Sequence, residues 1–528
     1  MKRGSFLLTA LLIGGSLLSQ QAFAAEWERN AGFTINSFYS DNICLSEEDP
    51  EGKGAVTVTP NLLVNGRGAR ANMSLNAALT YNGLADSGVE CFSPVGAGLT
   101  NRVSFVPSLR YTGDLEVVED WLTLESNAVA VRNPIDPFSP GGVNRFDGRD
   151  NLNITYQYGA GARIQRRLFD NTGFLLRYFH NEQENAADVL GNSSEDRGEF
   201  QLGTGQMGNA QMGNGQLQNG QAGAGQLGAN QGGNRLSVGI SGRYSRFKTD
   251  ETVFQAALEN TLSSVEVRAA LQLSRSWQID TLFGEEFNEF ISNRADIDGT
   301  YWDVGLRWSP NNRVEVRVGT GERFFGRTPR ISARYRHRRS DVIVDYTRSL
   351  TVPRNLRAAN QGPDDPLGPD FDQFLGDPLT LNGQPTFIDN SPILNERLSI
   401  RYRFTARRTS VSINASDSRQ SRTEDFSEAV FSDLAFRLTR SLAANLTANI
   451  QVRWSDRSSE GSNRNVGFFG QNAETWDLEV GLGRRLGNNT NLNLGFAHRR
   501  READSSSEFA VFNQFEENRL TLSLTHQF

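Results

Sequence analysis

The sequence predicts an all-β protein, a large antiparallel transmembrane β-barrel of the outer-membrane type with about 22 strands (about 16 to 22), behind a cleaved signal peptide. Three observations predict it. The chain ends on an alternating strand closed by phenylalanine, it opens on a secretory leader, and period-two alternation recurs between connections that are short and long by turns.

In the closing strand, Leu520, Leu522, Leu524 and Phe528 share one parity, while Thr521, Ser523, Thr525 and Gln527 share the other. Successive side chains of a strand point to opposite faces, so one face is apolar and the other polar. His526 is the one polar residue on the apolar parity. At the other end of the chain, Met1, Lys2 and Arg3 are basic, residues 6–18 are apolar, and Ala22, Phe23 and Ala24 form a small-x-small cleavage site. Residues 1–24 are therefore expected to be a signal peptide and 25–528 a single barrel.

Composition narrows the choice. Mean hydropathy is −0.48, and no apolar run after Ala25 reaches the roughly 20 residues that a membrane helix needs. A barrel needs only alternate residues to be apolar, so a membrane-spanning chain can look hydrophilic on average.

In chain order, the alternation places strands at 28–40, 54–64, 68–81, 100–112, 115–131, 151–168, 171–184, 234–248, 250–260 and 262–274. It then places them at 276–290, 300–308, 312–325, 328–338, 340–349, 393–407, 409–420, 427–440, 441–456, 473–486, 490–503 and 515–528. The run from Leu442 to Trp454 is the longest, with Leu442, Ala444, Leu446, Ala448, Ile450, Val452 and Trp454 on one parity. Val253 to Asn260 also suits a helical turn, which leaves the count open there. Tight turns are expected at 169–172, 274–276, 309–312, 338–341, 407–409, 439–441 and 487–490, and long external loops at 132–150, 185–234, 350–392, 456–473 and 502–515. Short turns on one side and long loops on the other are the asymmetry of outer-membrane barrels.

With the carboxy-terminus placed in the periplasm, an even count puts both termini there. Trp27, Trp277 and Trp308 then fall at periplasmic strand ends and Trp302, Trp454 and Trp476 at external ends, with Trp121 deeper. Such belts mark membrane interfaces. Cys44 and Cys91, the only cysteines, fall in neighbouring external loops, and export through an oxidising compartment predicts that they form a disulfide.

Residues 33–81 carry a resemblance, chiefly in Phe38 to Ile43, Leu45, Val58 to Pro60, Gly66 to Arg70 and Leu75 to Tyr81. This region resembles the amino-terminal part of uncharacterised outer-membrane proteins associated with PEP-CTERM/exosortase systems. The similarity continues more weakly through Trp121, Leu273 to Trp277 and the aromatic carboxy-terminus. It implies a Gram-negative outer-membrane barrel accompanying exopolysaccharide production and surface-protein sorting, and it carries over no catalytic or ligand residue.

Two loops stand out. Residues 197–234 are expected to be a Gln/Gly-rich, low-complexity external loop, with glutamine at every fifth position from Gln201 to Gln231; seven short repeats are too few to bury a solenoid core. The 350–392 loop is Pro/Asp-rich and holds Phe371, Phe374, Leu375 and Phe387. It either folds inward over the pore or caps it from outside.

No metal, cofactor or nucleic-acid signature is present. His180, His337, His498 and His526 lie in no ligand spacing. The nearest approach to a catalytic group is His337 near Asp341 and Asp345. The informative residues are arginines on the polar parity: Arg313, Arg317, Arg334, Arg336, Arg338, Arg397, Arg401, Arg403, Arg407, Arg437 and Arg453. All are expected to line the lumen, while acids such as Glu47, Glu48, Asp49, Asp364 and Asp365 crowd the loops. A basic lumen concentrates anions. Alternatively, Asp303, Glu315, Asp345 and Asp433 pair with these arginines and the charges only fill the wall.

Two functions follow as expectations: a non-enzymatic pore or docking channel for an anionic polymer such as exopolysaccharide, or a plugged, adhesin-like barrel that binds partners through its loops. A barrel enzyme is the third, weaker reading. The partners implied are outer-membrane lipid, the barrel-insertion machinery and anionic polysaccharide.

Overall fold

The computed structural model describes residues 26–47, 50–84, 105–134, 152–169, 172–187, 190–204, 235–252, 256–294, 296–353, 390–425, 427–460, 472–503 and 514–528. The strands are β1 (Glu26–Ser40), β2 (Lys53–Arg67), β3 (Ala71–Leu84), β4 (Phe105–Val118), β5 (Leu122–Pro134), β6 (Leu152–Phe169), β7 (Thr172–Asn185) and β8 (Ser193–Thr204). Next come β9 (Leu236–Thr249), β10 (Leu258–Gln272), β11 (Trp277–Glu289), β12 (Gly299–Asn311), β13 (Val314–Arg323), β14 (Gly326–Arg327), β15 (Arg330–His337) and β16 (Ser340–Thr351). The last are β17 (Ile393–Thr405), β18 (Thr409–Arg422), β19 (Glu428–Ala443), β20 (Leu446–Glu460), β21 (Ala473–Arg485), β22 (Thr490–Ala503) and β23 (Phe515–Gln527).

Apart from β14, which pairs with β13 and not with β15, each strand pairs antiparallel with the next in sequence, and β1 pairs with β23 from Gly32↔Gln527 to Ser40↔Arg519. The sheet therefore has no edge. Both β14 and β15 pair with β13, so together they form one interrupted stave, and the closed wall has 22. The hairpin before β14 turns through Phe324 and Phe325 into Gly326, whose φ of 104° suits glycine. A 22-strand wall encloses a lumen about 40 Å across, backbone to backbone.

The two faces separate as the alternation predicts. Leu522 is 48% exposed and its neighbour Ser523 0%. Leu520, Leu522 and Phe528 project outward with Val480, Leu482, Ile450, Leu434, Val304, Val267 and Ile240, forming an exposed apolar band around the wall. In water such a band would drive aggregation; lipid is the solvent that suits it. His526 faces outward too, between the rings of Phe33 and Phe528 at 5.7 and 5.0 Å.

One end of the barrel, here the terminal end, holds both ends of the wall and the tight turns. The other, the loop end, holds the long connections apart from the one between β8 and β9. Trp27 and the pair Trp277 and Trp308, 5.9 Å apart, lie at the terminal end. Trp302 and the pair Trp454 and Trp476, 6.4 Å apart, lie toward the loop end. Trp121 departs from expectation: it sits in the turn between β4 and β5, so it joins the terminal-end belt.

The expected strand count coincides with the observed one because two misplacements cancel. Residues 193–204 form β8, inside what the sequence suggested was one loop from 185 to 234, while the segments 250–260 and 262–274 contribute to a single strand, β10. The low-complexity stretch is corrected accordingly. Residues 197–204 belong to β8, with Thr204 paired to Thr172 at the terminal end, where β9 also begins. Residues 205–234 themselves lie outside the described residues.

The turn expected at 439–441 falls instead at Ala444 and Asn445. A bulge between Ser441 and Ala443 keeps even positions outward on both β19 and β20, so the alternation runs unbroken through the turn and hides it. Of the 350–392 loop, Val352, Asn390 and Ser391 are buried, and residues 354–389 lie outside the described residues.

Two measurements check this account. Leu522→Arg, in mid-band, should cost about 2–4 kcal/mol in denaturant titrations of protein folded into lipid vesicles; a cost below about 1 kcal/mol would take Leu522 off the lipid face. An epitope inserted at residue 215 should become accessible from the same side as one at the carboxy-terminus, and one at 370 from the opposite side.

Candidate functional site: the charged inner wall

The inner wall is built from the polar parity, and the closure of the sheet brings its charges into rows. Neighbouring strands lie about 4.8 Å apart, so residues in register on one face are in side-chain reach. One row runs Glu315, Arg334, Ile343, Arg401, Asn414, Ala435, Arg453, Asp477, Arg499 and Glu517 across β13 to β23. The next, toward the terminal end, includes Arg336, Asp341, Arg403, Ser412, Arg437, Gln451 and Glu479.

Much of this charge is neutralised. Arg453 lies 3.5 Å from Asp433 and Arg499 2.5 Å from Asp477. Glu315 pairs with Arg317 at 2.6 Å and Arg307 at 3.2 Å, and Arg330 bridges Asp280 and Asp303 at 2.5 Å each. Glu125 holds Arg163 and Arg177 at 3.0 and 2.7 Å. Glu266, buried on β10, pairs with Arg268 and accepts hydrogen bonds from Ser241 at 2.9 Å and Tyr301 at 2.7 Å. A buried charge is tolerated only with such partners. The pairing alternative thus describes a large part of the wall.

The exception lies on β15 to β17, toward the terminal end. Arg334 and Arg336 are 45% and 59% exposed and share a single carboxylate, Asp341, at 3.5 and 3.4 Å. Arg403 stands opposite Asp341 in register and Arg401 one pleat pair above it; both are exposed and make no ion pair within 4.0 Å among the described residues. Four guanidiniums therefore face the lumen, with Asp341 the one carboxylate in ion-pair range and Asp345 one pleat pair above the Arg334–Arg401 row. Cross-strand spacing puts Arg336 and Arg403, two strands apart, about 10 Å from each other at their Cβ atoms. Arginine stays charged at any physiological pH, and its fork matches carboxylate, sulfate and phosphate oxygens.

The other expected lumen arginines divide. Arg317 and Arg453 face inward but are paired, Arg397 faces inward beside them, and Arg437 bonds Gln451 at 3.2 and 3.0 Å. Arg313, Arg338 and Arg407 do not line the wall. Each sits in a tight turn at the terminal end, because the strands end one or two residues earlier than the alternation suggested. Asp345, expected to pair, faces inward and makes no ion pair within 4.0 Å among the described residues.

The catalytic possibility at His337 is not assembled. His337 points outward, stacked on Tyr335 at 6.4 Å, whereas Asp341 and Asp345 face the lumen. Cys44 is disulfide-bonded and lies in the β1–β2 connection at the loop end; Cys91 lies outside the described residues. No group of three or more metal-ligating side chains gathers among the described residues.

The loop end above the patch is covered. Phe290, Phe325, Leu350 and Leu394 cluster there, Asn293 N–H donates to the Thr423 carbonyl at 2.9 Å, and Asn260 donates to the Asn390 carbonyl at 3.5 Å. The first bond connects the β11–β12 loop with the β18–β19 loop past the tops of β13 to β17, and the second ties β10 to the segment before β17.

No protein-family model matches the chain, and no curated protein matches it. Solved structures do. A double mutant of the ferric enterobactin receptor PfeA from Pseudomonas aeruginosa aligns with a TM-score of 0.52 at 11% identity, over 96% of this chain and 81% of that one. A single mutant of the same receptor in complex with enterobactin aligns at 0.51 and 11%, over 96% and 82%. The likeness shows the fold: a large barrel of the outer-membrane type.

Two substitutions separate wall from patch. Glu266→Ala strips a buried carboxylate from its partners and should cost about 3–5 kcal/mol of unfolding free energy. Arg401→Ser, exposed and unpaired, should cost under about 1 kcal/mol in the same titration.

Proposed function

We propose that the barrel stands in the outer membrane with both termini in the periplasm and gives passage or a dock to an anionic polymer. Exopolysaccharide is the class suggested by the resemblance to exosortase-associated barrels. The observation that carries this reading is the exposed arginine patch of Arg334, Arg336, Arg401 and Arg403, in which Asp341 is the one carboxylate in ion-pair range. A low-dielectric wall focuses such a field into the lumen, so polyanions gather there while cations are excluded. The receptor likeness supplies the fold, and the ligand class rests on the lumen's own charges.

A second reading, a barrel closed at its outer face that acts through its loops, draws support from the bonds that cross the loop end to Thr423 and Asn390. Planar-bilayer recording separates the two. The first expects conductance with anions preferred, and Arg401→Ser with Arg403→Ser should lower the anion-to-cation permeability ratio on the order of two- to tenfold. Cation preference in the unaltered protein would defeat it, and silence across the voltage range would select the second.

A further inference from the structure

Outside the barrel, charge is sorted by height. Among the described strand residues, the outward-facing carboxylates stand in the half nearer the loop end: Glu182, Asp196, Glu259, Glu396, Glu474 and Glu516 are examples. Several cations that face outward at that height have acidic partners. Arg246 pairs with Glu259, Arg419 with Glu428 at 2.8 Å, and Arg500 with Glu502.

The terminal end is the reverse. Arg29, Arg166, Arg440 and Arg484 point outward there, in register with Val64, Phe174, Ala448 and Leu446 of the apolar face. All four are exposed, and none has a carboxylate within 4.0 Å among the described residues. Two are held against the tryptophan belt: the Arg166 guanidinium lies 4.0 Å from the centre of the Trp121 ring, and that of Arg29 5.7 Å from the Trp27 ring. Stacking on an exposed ring fixes a guanidinium at the level of the aromatic belt, where lipid headgroups begin.

We propose that Arg29, Arg166, Arg440 and Arg484 form a binding girdle for anionic phospholipid headgroups in the leaflet that meets the terminal end. Each supplies a forked donor to a phosphate oxygen, each lies just below apolar wall that acyl chains cover, and no protein carboxylate among the described residues competes for it. The sorting is two-sided, since a phosphate at the loop end would meet carboxylates. The girdle is separate from the lumen patch and does not depend on what the lumen carries.

Brominated lipids test it, because bromine quenches tryptophan within contact range and Trp27 and Trp121 sit beside the proposed sites. The full-length protein is reconstituted in phosphatidylcholine, and quenching by brominated phosphatidylglycerol is compared with quenching by brominated phosphatidylcholine. The expected result is preferential association of phosphatidylglycerol, on the order of fivefold for each arginine engaged. In a variant carrying Arg29→Gln, Arg166→Gln, Arg440→Gln and Arg484→Gln, the preference should vanish, whereas Arg313→Gln, Arg338→Gln and Arg407→Gln, in the rim turns, should leave it intact. Should the fourfold variant fail to fold, Arg29→Gln with Arg166→Gln alone, beside the two reporting tryptophans, should reduce the preference in part. Equal quenching by the two lipids in the unaltered protein overturns the proposal, and so does a preference that survives the girdle substitutions or is lost equally with the rim substitutions.

Discussion

The pairing of β1 with β23 is the interaction on which the rest of the structure depends. In a bilayer no water is available to an unpaired backbone N–H or C=O, each of which would cost several kcal/mol, about as much as a whole side chain gains by burial. A sheet that crosses lipid must therefore close on itself, and the register from Gly32↔Gln527 to Ser40↔Arg519 achieves this. Closure also fixes the faces. Once every strand has two neighbours, alternate residues have only lipid or lumen to point at, and the period of two in the sequence becomes the inside and outside of the molecule.

Closure has a second consequence, on charge. The inner face is crowded with arginines and acids, and two opposite charges 4 Å apart interact by about 4 kcal/mol at an effective dielectric of 20 but only about 1 kcal/mol in water. Where neighbours shield the wall from water, as around Glu266, Arg453 and Arg499, the charges are matched. On β15 to β17 the side chains reach open lumen, hydration replaces pairing, and four arginines persist with Asp341 alone in ion-pair range. That excess is tolerable because it is wet, and it is accessible for the same reason.

The faces were legible in the sequence and the partners were not. Leu520, Leu522 and Leu524 declared their side through local alternation alone, as did Arg401 and Arg403. The pairs of Arg453 with Asp433, and of Arg330 with Asp280 and Asp303, join residues on different strands and depend on register that no single strand encodes. Strand ends were missed where local signals misled. The Gln-rich repeat runs directly into β8 and masked it, and the bulge at Ser441 carried the alternation through a turn. The same blurring of ends placed Arg313, Arg338 and Arg407 on the wall instead of in turns. Tyr301 and Glu266, tied together inside the wall, drew no notice because neither lies in a motif.

The heights of these charges give the proposed passage a direction. A polyanion approaching from the loop end would first meet outward and loop carboxylates such as Glu182 and Glu516, and above β13 to β17 it would find the covered top held by Asn293 and Thr423. From the terminal end it would meet Arg336 and Arg403 near the rim, then Arg334 and Arg401 one step up the same staves. Strands β2 and β3 offer Asn61, Asn65, Ser74 and Asn76 to the lumen, uncharged groups that can hydrogen-bond a hydroxylated chain without holding it. Attraction at the terminal end and repulsion at the loop end is the polarity that draws a negatively charged chain into the lumen from the terminal end.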